Sequence, residues 1–305
     1  MKYFQIAEIG FKIYCAIPVF PEGDFLKIFS VSEDHFNSLY DRIYINIQEA
    51  DIHPPEAAEY IKNYFKWKES GQTYISLPFG HCSNAVSFRP SDWRTNRIEL
   101  QLNAQIREES CFTLNQIFSI SGLHSPLLAR NALIVHSSYI AADFRMLQSA
   151  ILFTGPSGMG KSTQAELWRR YAGAEIINGD RAVLKYGGIV QSADEREQLG
   201  HIWSAHGIPV CGSSNICKNI SLPVGMIVVL KQGSENHVEE MTAGEKYRAL
   251  LLASAFYQWD AYESEQAHRL VLKLIEEVPI VRLVCRPDEG AVHILKEYIE
   301  KKCRK

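Results

Sequence analysis

The chain has 305 residues, of which 46% are apolar and 22% are charged, and this is the composition of a globular protein with a sizeable core. Its length exceeds the usual size of a single-core domain, so two domains are expected. The net charge of −3 provides no basic surface of the kind that attracts nucleic acid, so a nucleic-acid partner is not expected.

The sequence also argues against a membrane or secreted protein. No apolar run reaches the ~18–20 residues that a transmembrane helix requires, so no membrane partner is expected. Gln5, Glu8 and Lys12 interrupt the N-terminal segment, whereas a signal peptide keeps its apolar stretch unbroken. The seven cysteines are odd in number and form no Cys-x-x-Cys pair, which argues against a disulfide framework or a zinc site. We therefore expect a cytoplasmic protein whose cysteines are mostly small buried side chains.

Residues 1–110 are predicted to form a β-rich N-terminal domain. Alternating apolar and polar residues predict strands at 12–17, 74–77, 85–88 and 97–102. The one helix expected in this part covers residues 56–67. A domain of this kind has exposed strand edges that can hold a peptide by strand addition, so it is a candidate for substrate binding.

Residues 111–305 are predicted to form the second, catalytic domain. A helix over 113–131, with uncertain ends because of Gly122 and Pro126, is expected to join the two halves. A strand at 132–136 and a hairpin of 139–142 with 149–153 come next. Near the C-terminus the pattern predicts strands at 226–230 and 280–284, and helices at 243–256, 263–277 and 289–300.

A phosphate-binding loop follows the second strand of that hairpin. The pattern G-x-x-x-x-G-K-[ST] is matched in full by Gly155, Pro156, Ser157, Gly158, Met159, Gly160, Lys161, Ser162 and Thr163. An apolar strand precedes this P-loop and helix-forming residues follow it, which is the context that the motif requires. Its backbone N–H groups and the helix N-terminus suit the phosphates of ATP. Lys161 suits the β- and γ-phosphates, and the Ser162 hydroxyl suits Mg²⁺. The alternative is a chance glycine turn before a helix.

Asp180 is the second candidate for the site. It follows Lys161 by 19 residues, enough for one helix and a returning strand at 174–177, so its carboxylate is expected beside the phosphates. There it can bind Mg²⁺ or accept a proton from a substrate hydroxyl. The alternative is an ordinary turn aspartate in the sequence Asn-Gly-Asp.

The residues after Asp180 discriminate between folds. Strands at 182–186 and 189–191 around Gly187-Gly188 predict a β-hairpin. A doubly wound NTPase has a helix at this point. We therefore expect an α/β (α+β) fold with a mixed, largely antiparallel sheet.

At these residues the chain resembles the HPr kinase/phosphorylase group, whose core is shared with phosphoenolpyruvate carboxykinase and with bacterial peptide-modifying serine kinases. The resemblance covers about residues 124–300. It rests on a histidine at an upstream strand end, the P-loop and the Asn-Gly-Asp-Arg sequence, and more weakly on residues 207–212 and 286–289. It implies an ATP- and Mg²⁺-dependent kinase of a serine hydroxyl, acting on a peptide or a small carrier protein. Homo-oligomers are common among such relatives.

The resemblance also implies roles for individual residues. Asp180 is then the base that takes the seryl proton, Lys161 and Ser162 keep their phosphate and magnesium roles, and His136 lies beside the base. A buried strand-end histidine with a backbone partner is the alternative for His136. HPr kinases carry two adjacent aspartates where this chain has Gly179-Asp180, which puts the reverse, phosphate-releasing activity in doubt. Candidates for a second magnesium carboxylate or a catalytic arginine are Asp194, Glu195, Glu197, Arg248 and Arg282.

Three further interpretations stay open. The glycine- and serine-rich segment 201–219 is either a lid or substrate loop, with His206 as a possible contact, or a plain surface loop. A kinase of a small metabolite such as free serine fits the same residues. A nucleotide-dependent regulatory protein needs the P-loop but no base, so Asp180 distinguishes it from a kinase.

Overall fold

The structure is a computed structural model that describes residues 1–15, 24–108, 113–120, 122–144, 147–187 and 203–303. The chain divides into two compact units, Met1–Pro126 and Leu127–Lys305, both built on mixed sheets with helices. The functional division predicted after residue 110 stays a prediction. No helix in the described ranges is long and apolar enough to cross a membrane.

The N-terminal unit is an eight-stranded mixed sheet with short helices. Its strands are β1 (Lys2–Ile6), β2 (Ile9–Cys15), β3 (Arg42–Glu49), β4 (Glu59–Ile61), β5 (Tyr64–Glu69), β6 (Gln72–Phe79), β7 (Cys82–Phe88) and β8 (Arg97–Leu102), and its helices are α1 (Asp24–Lys27), α2 (Glu33–Ser38) and α3 (Leu114–Ile120), with 3-10 turns at Pro90–Arg94 and Ala104–Glu108. The spatial order is β1-β2-β3-β8-β7-β6-β5-β4, and only the β2–β3 and β3–β8 pairs are parallel.

The predicted strands of this unit are confirmed, although residues 16–17 of the first lie outside the described residues. The helix predicted at 56–67 is wrong, because β4 and β5 form an antiparallel hairpin there. Its turn is Lys62-Asn63, with Lys62 at φ 54°. Asn63 is the weak turn signal there, the turn contains no glycine, and the apolar spacing suits a helix as well as two short strands.

The helix predicted at 113–131 is in fact two short helices, α3 and α4 (His124–Leu128), because Gly122 lies between them at φ 76°.

The remaining elements of the second unit are the strands β9 (Ala132–Phe144), β10 (Leu147–Thr154), β11 (Glu175–Asn178), β12 (Arg181–Tyr186), β13 (Trp203–His206), β14 (Ser221–Gln232), β15 (His237–Glu240) and β16 (Ile280–Cys285), and the helices α5 (Lys161–Ala172), α6 (Ala243–Ala253), α7 (Ala261–Glu277) and α8 (Glu289–Cys303).

Two long strands organise the sheet of the second unit. Along β9, residues 137–144 pair with β10 and residues 132–136 pair with β12, while β14 pairs with β13 at its start and with β10 further on. The β10–β14 and β14–β16 pairs are parallel and the others are antiparallel, which confirms the mixed sheet. The strand predicted at 189–191 lies outside the described residues. The C-terminal strands and helices are confirmed to within a few residues at their ends.

Helices cover both faces of this sheet. Side chains of β10 alternate between two cores: Leu152 packs with residues of α6 and α7, and Phe153 packs with residues of α5 and α8. This alternation is the period of two expected for a strand that is buried on both faces. The β10 strand is thereby fixed, and the loop at its carboxyl end has a rigid base.

Candidate functional site

The P-loop turns between β10 and α5 in a conformation that its glycines allow. Gly158 has φ 78° and Gly160 has φ 95°, values that side chains other than glycine rarely adopt. Gly160 is also the N-cap of α5 and has no side-chain cap. The first N–H groups of α5 therefore keep no intrahelical acceptor and suit an anion at this end of the helix.

Lys161 lies at the start of α5 with its ammonium folded back on the P-loop. Nζ donates to the carbonyl oxygens of Gly155 at 3.0 Å and Pro156 at 3.1 Å. Burial lowers the pKa of Lys161, and the attraction of Asp180 partly opposes this effect. An anion bound at the P-loop would replace the two carbonyls as the partner of this buried charge.

The turn that carries Asp180 is held by the buried side chain of Asn178 at the end of β11. Its Oδ1 accepts from the N–H groups of Asp180 at 2.9 Å and Arg181 at 3.0 Å. Its Nδ2 donates to the carbonyls of Ile208 and Val210, both at 3.0 Å. Sequence reasoning missed this role of Asn178, although an Asn two residues before an Asp is a known turn signal.

The side chains of His136 and Arg181 lie against the Asp180 carboxylate. His136 Nε2 lies 3.2 Å from Oδ1, and Arg181 Nε lies 3.2 Å from Oδ2. These contacts lower the pKa of Asp180, chiefly through the hydrogen bond with His136 and against the opposing effect of burial. Asp180 is therefore ionised at neutral pH. Arg181 was not among the predicted site residues, and its position directly after Asp180 was the available signal.

Strand β9 brings the P-loop and the Asp180 turn together. His136 pairs with Arg181 of β12, and its carbonyl accepts from Thr154 Oγ1 at 2.9 Å, immediately before the P-loop. Ser162 Oγ of α5 lies 3.5 Å from the Gly179 carbonyl. The predicted residues Lys161, Ser162, Asp180 and His136 thus lie at one place.

The other P-loop residues lie around this place without side-chain contacts to Asp180 among the described interactions. The Met159 N–H donates to the Pro156 carbonyl at 3.3 Å, which closes the turn of the loop. Ser157 is exposed, and so is Thr163 in the first turn of α5.

Residues 207–217 form the wall next to Asp180. A Cβ at Gly212 would lie 2.8 Å from the Asp180 Cγ, and one at Gly179 would lie 2.3 Å from the Ser214 Cβ. Both glycines are required by these close approaches. The predicted contact role of His206 is not supported, because it is buried on β13 and hydrogen-bonded to Ser204 and Ser221.

Two cysteines lie within the same wall. Cys211 and Cys217 are buried and share a hydrogen bond, and burial raises the pKa of both, to about 12 for Cys217. Cys82 and Cys285 are buried as well. These four fit the prediction of small buried side chains.

The two arginine candidates, Arg248 and Arg282, lie elsewhere in the second unit. Arg282 pairs with Glu239 and Glu245, and Arg248 is exposed on α6. The candidates Asp194, Glu195 and Glu197 lie outside the described residues. Within the described ranges, no group of three or more His, Cys, Asp and Glu side chains is arranged to hold a metal.

The oxygen donors at the site nevertheless fit Mg²⁺. The Ser162 hydroxyl and the Asp180 turn face each other across the 3.5 Å contact with Gly179. Magnesium in nucleotide sites commonly takes only one or two protein oxygens, and phosphates and water provide the others. Ser162 and Asp180 are the residues that would hold it.

Comparisons with known proteins give matches among solved structures but not among family models or curated proteins. No family model matches the chain, and no curated protein matches it. Among solved structures, the chain is similar to the Hpr(Ser) kinase/phosphatase from Coxiella burnetii, with 12% sequence identity and a TM-score of 0.25. That match covers 55% of this chain and 93% of the other.

Proposed function

We propose that this protein is an ATP- and Mg²⁺-dependent phosphotransferase with an alcohol acceptor, most specifically a kinase of a serine hydroxyl on a peptide or a small carrier protein. The observation that carries the proposal is the ionised Asp180 carboxylate, held by His136 and Arg181 beside a P-loop lysine. A protein that only binds nucleotide needs the loop and the lysine but no base.

The residues divide the work of phosphoryl transfer between them. Lys161 exchanges its two loop carbonyls for the β- and γ-phosphates, and the N–H groups at the start of α5 hold the same oxygens. Mg²⁺, when bound, neutralises the charge that develops on these oxygens. Asp180 accepts the proton of the acceptor hydroxyl, and His136 positions the carboxylate by its hydrogen bond.

A peptide acceptor has a candidate docking edge in the N-terminal unit. The outer edge of β1 is already hydrogen-bonded, since Gln5 N–H donates to Phe29 and Val31 N–H donates to Tyr3. At the other end of the sheet, no strand in the described ranges pairs with the outer side of β4. Strand addition by a peptide is therefore proposed at β4.

The test uses the full chain with γ-labelled ATP, Mg²⁺, and either candidate peptides or free serine. Wild type should label a peptide, and Lys161→Met should not. Labelling of free serine alone would indicate a metabolite kinase instead. ATP binding without transfer to any hydroxyl would indicate a regulatory protein, and absence of ATP binding would refute the proposal.

A further inference from the structure

The carboxyl ends of four strands meet at the edge of the sheet that carries the P-loop. Strands β14 and β16 run parallel to β10, and β11 has the same direction because both β10 and β11 are antiparallel to β9. The order along this edge is β11, β9, β10, β14, β16. Ligands of open α/β sheets bind at such an edge, so each of the loops that leave it is a candidate contact.

The position of Asp180 assigns a direction to the nucleotide. In phosphoryl transfer the attacking and leaving oxygens lie roughly in line through the γ-phosphorus. With Asp180 as the base, the acceptor hydroxyl would lie at Asp180, on the β11 side of the P-loop. On the proposed function, the leaving ADP would therefore extend toward the opposite side, over the ends of β14 and β16.

That side is joined to the P-loop by a direct contact. Gln232, the last residue of β14, donates from Nε2 to the Gly158 carbonyl at 3.3 Å. Gln232 also pairs with Cys285, the last residue of β16, and adjacent strands lie only ~4.8 Å apart. Arg286 follows Cys285 directly and so begins the next loop along this edge.

The Arg286 side chain is held in place while most of it remains exposed. Its Nε lies 2.9 Å from Asp288 Oδ2, and its side chain is 58% exposed. Asn236 connects the two loops, because its Oδ1 accepts from the Arg286 N–H at 2.8 Å and its Nδ2 donates to Asp288 Oδ1 at 2.7 Å. An arginine fixed at one edge of its guanidinium leaves its flat face available for stacking.

We propose that Arg286, positioned by Asp288 and Asn236, binds the purine base of the nucleotide by stacking its guanidinium on the ring. This inference rests on the proposed function, since it assumes that the P-loop holds the triphosphate. The bound base would cover one face of the guanidinium, so the stacking contribution lies between that of an exposed and that of a desolvated contact. Loss of the side chain should therefore weaken nucleotide binding by about fivefold to tenfold.

The test compares two ligands by calorimetry, Mg-ATP and inorganic tripolyphosphate with Mg²⁺, because only the first has a base. Arg286→Ala should weaken binding of ATP at least about fivefold and leave binding of tripolyphosphate within about twofold. Retained tripolyphosphate binding also shows that the variant is folded. Arg169→Ala is the matched control, since Arg169 is exposed on α5 and its ion pair is with Glu166 on the same helix.

Two results would overturn the inference: ATP binding unchanged in Arg286→Ala, or equal weakening of both ligands, which would make Arg286 a phosphate contact. Failure of the proposed function is distinguishable from these. If the proposed function is wrong, Lys161→Met will not weaken the binding of ATP or of tripolyphosphate, and this result does not depend on Arg286→Ala.

Discussion

His136 and Asp180 lie side by side although they belong to different strands, with His136 Nε2 at 3.2 Å from Asp180 Oδ1. The contact follows from the register of the sheet, because His136 of β9 pairs with Arg181, the residue after Asp180. Strand β9 changes partner at this point, from β12 to the P-loop strand β10. The Asp180 carboxylate and the P-loop are therefore held by the same strand.

The first prediction concerns the proposed base. Asp180→Asn keeps the size of the side chain but removes its ability to accept a proton, so the transfer rate should fall by about 10²–10⁴-fold. Affinity for ATP should stay within about tenfold, because Lys161 and the P-loop are intact. Transfer of labelled phosphate and calorimetric ATP binding measure the two effects. Transfer at the wild-type rate would show that Asp180 is not the base.

The second prediction concerns pH. The hydrogen bond with His136 is the main cause of the low pKa of Asp180, while burial acts against it. His136→Phe should therefore raise this pKa, and the acid limb of kcat/KM should move to higher pH than in wild type. The stability that the ionised carboxyl contributes is present above its unfolded pKa of ~3.9 and is lost as pH falls through the folded value.

The control for this variant is His53→Phe, which removes a surface His–Asp pair with Asp51 and should leave the pH profile unchanged. Superimposable profiles for His136→Phe and wild type would contradict the assignment of His136 as the residue that positions the carboxylate.

Local signals in the sequence predicted the core of the site. The P-loop pattern is fixed by glycine conformations and by one lysine, and the distance to Asp180 is fixed by one helix and one strand, so both can be found in the sequence. The turn at Asn178 has a local signal, but the hydrogen bonds of Asn178 to Ile208 and Val210 could not be found in this way, and neither could the role of Gly212. Their importance depends on contacts with residues 208–212, and the packing of that segment against the Asp180 turn is a tertiary property.

The same limit explains the wrong helix at residues 56–67. Ile61, Tyr64 and Phe65 have the i, i+3, i+4 spacing of a helix face, yet Ile61 and Tyr64 are cross-strand partners in the structure. The pairing of β5 with both β4 and β6 favours the strand. His206 is a wrong prediction of a different kind. A histidine in a glycine-rich segment suggests a site, but this one is buried in the sheet and hydrogen-bonded to Ser204 and Ser221.

The third prediction concerns the effect of the buried Lys161 charge on the free energy of unfolding. Burial lowers the pKa of Lys161, so its charge opposes folding at neutral pH and the opposition fades as pH rises through the folded pKa. Lys161→Met should therefore melt at the same temperature as wild type or higher, and should lose the stabilisation by Mg-ATP, which reaches ~2.7 kcal/mol at 100 times Kd. Thermal melts with and without nucleotide measure both effects. The exposed Lys296→Met on α8 is the control and should keep the stabilisation.

The fourth prediction tests the docking edge. Tyr60 lies in β4 and is 63% exposed. Tyr60→Pro removes a backbone N–H and distorts the edge, whereas Tyr60→Ala keeps the backbone donor. Peptide binding by strand addition should be lost in the proline variant and kept in the alanine variant, while ATP binding is unchanged in both. Equal peptide affinity in the two variants would exclude strand addition at β4.

The last prediction concerns the wall beside the base. Gly212 has φ 52°, and a Cβ there would lie 2.8 Å from Asp180 Cγ and 3.0 Å from Oδ1. Gly173 also has a positive φ, at 67°, but a Cβ there would meet nothing within 4 Å. Gly212→Ala and Gly173→Ala should therefore share a backbone penalty of about 1–2 kcal/mol in the free energy of unfolding. Only Gly212→Ala should also displace the carboxylate and lower the transfer rate. Denaturant unfolding and transfer assays on both variants separate the two effects, and equal transfer rates would mean that the wall does not position Asp180.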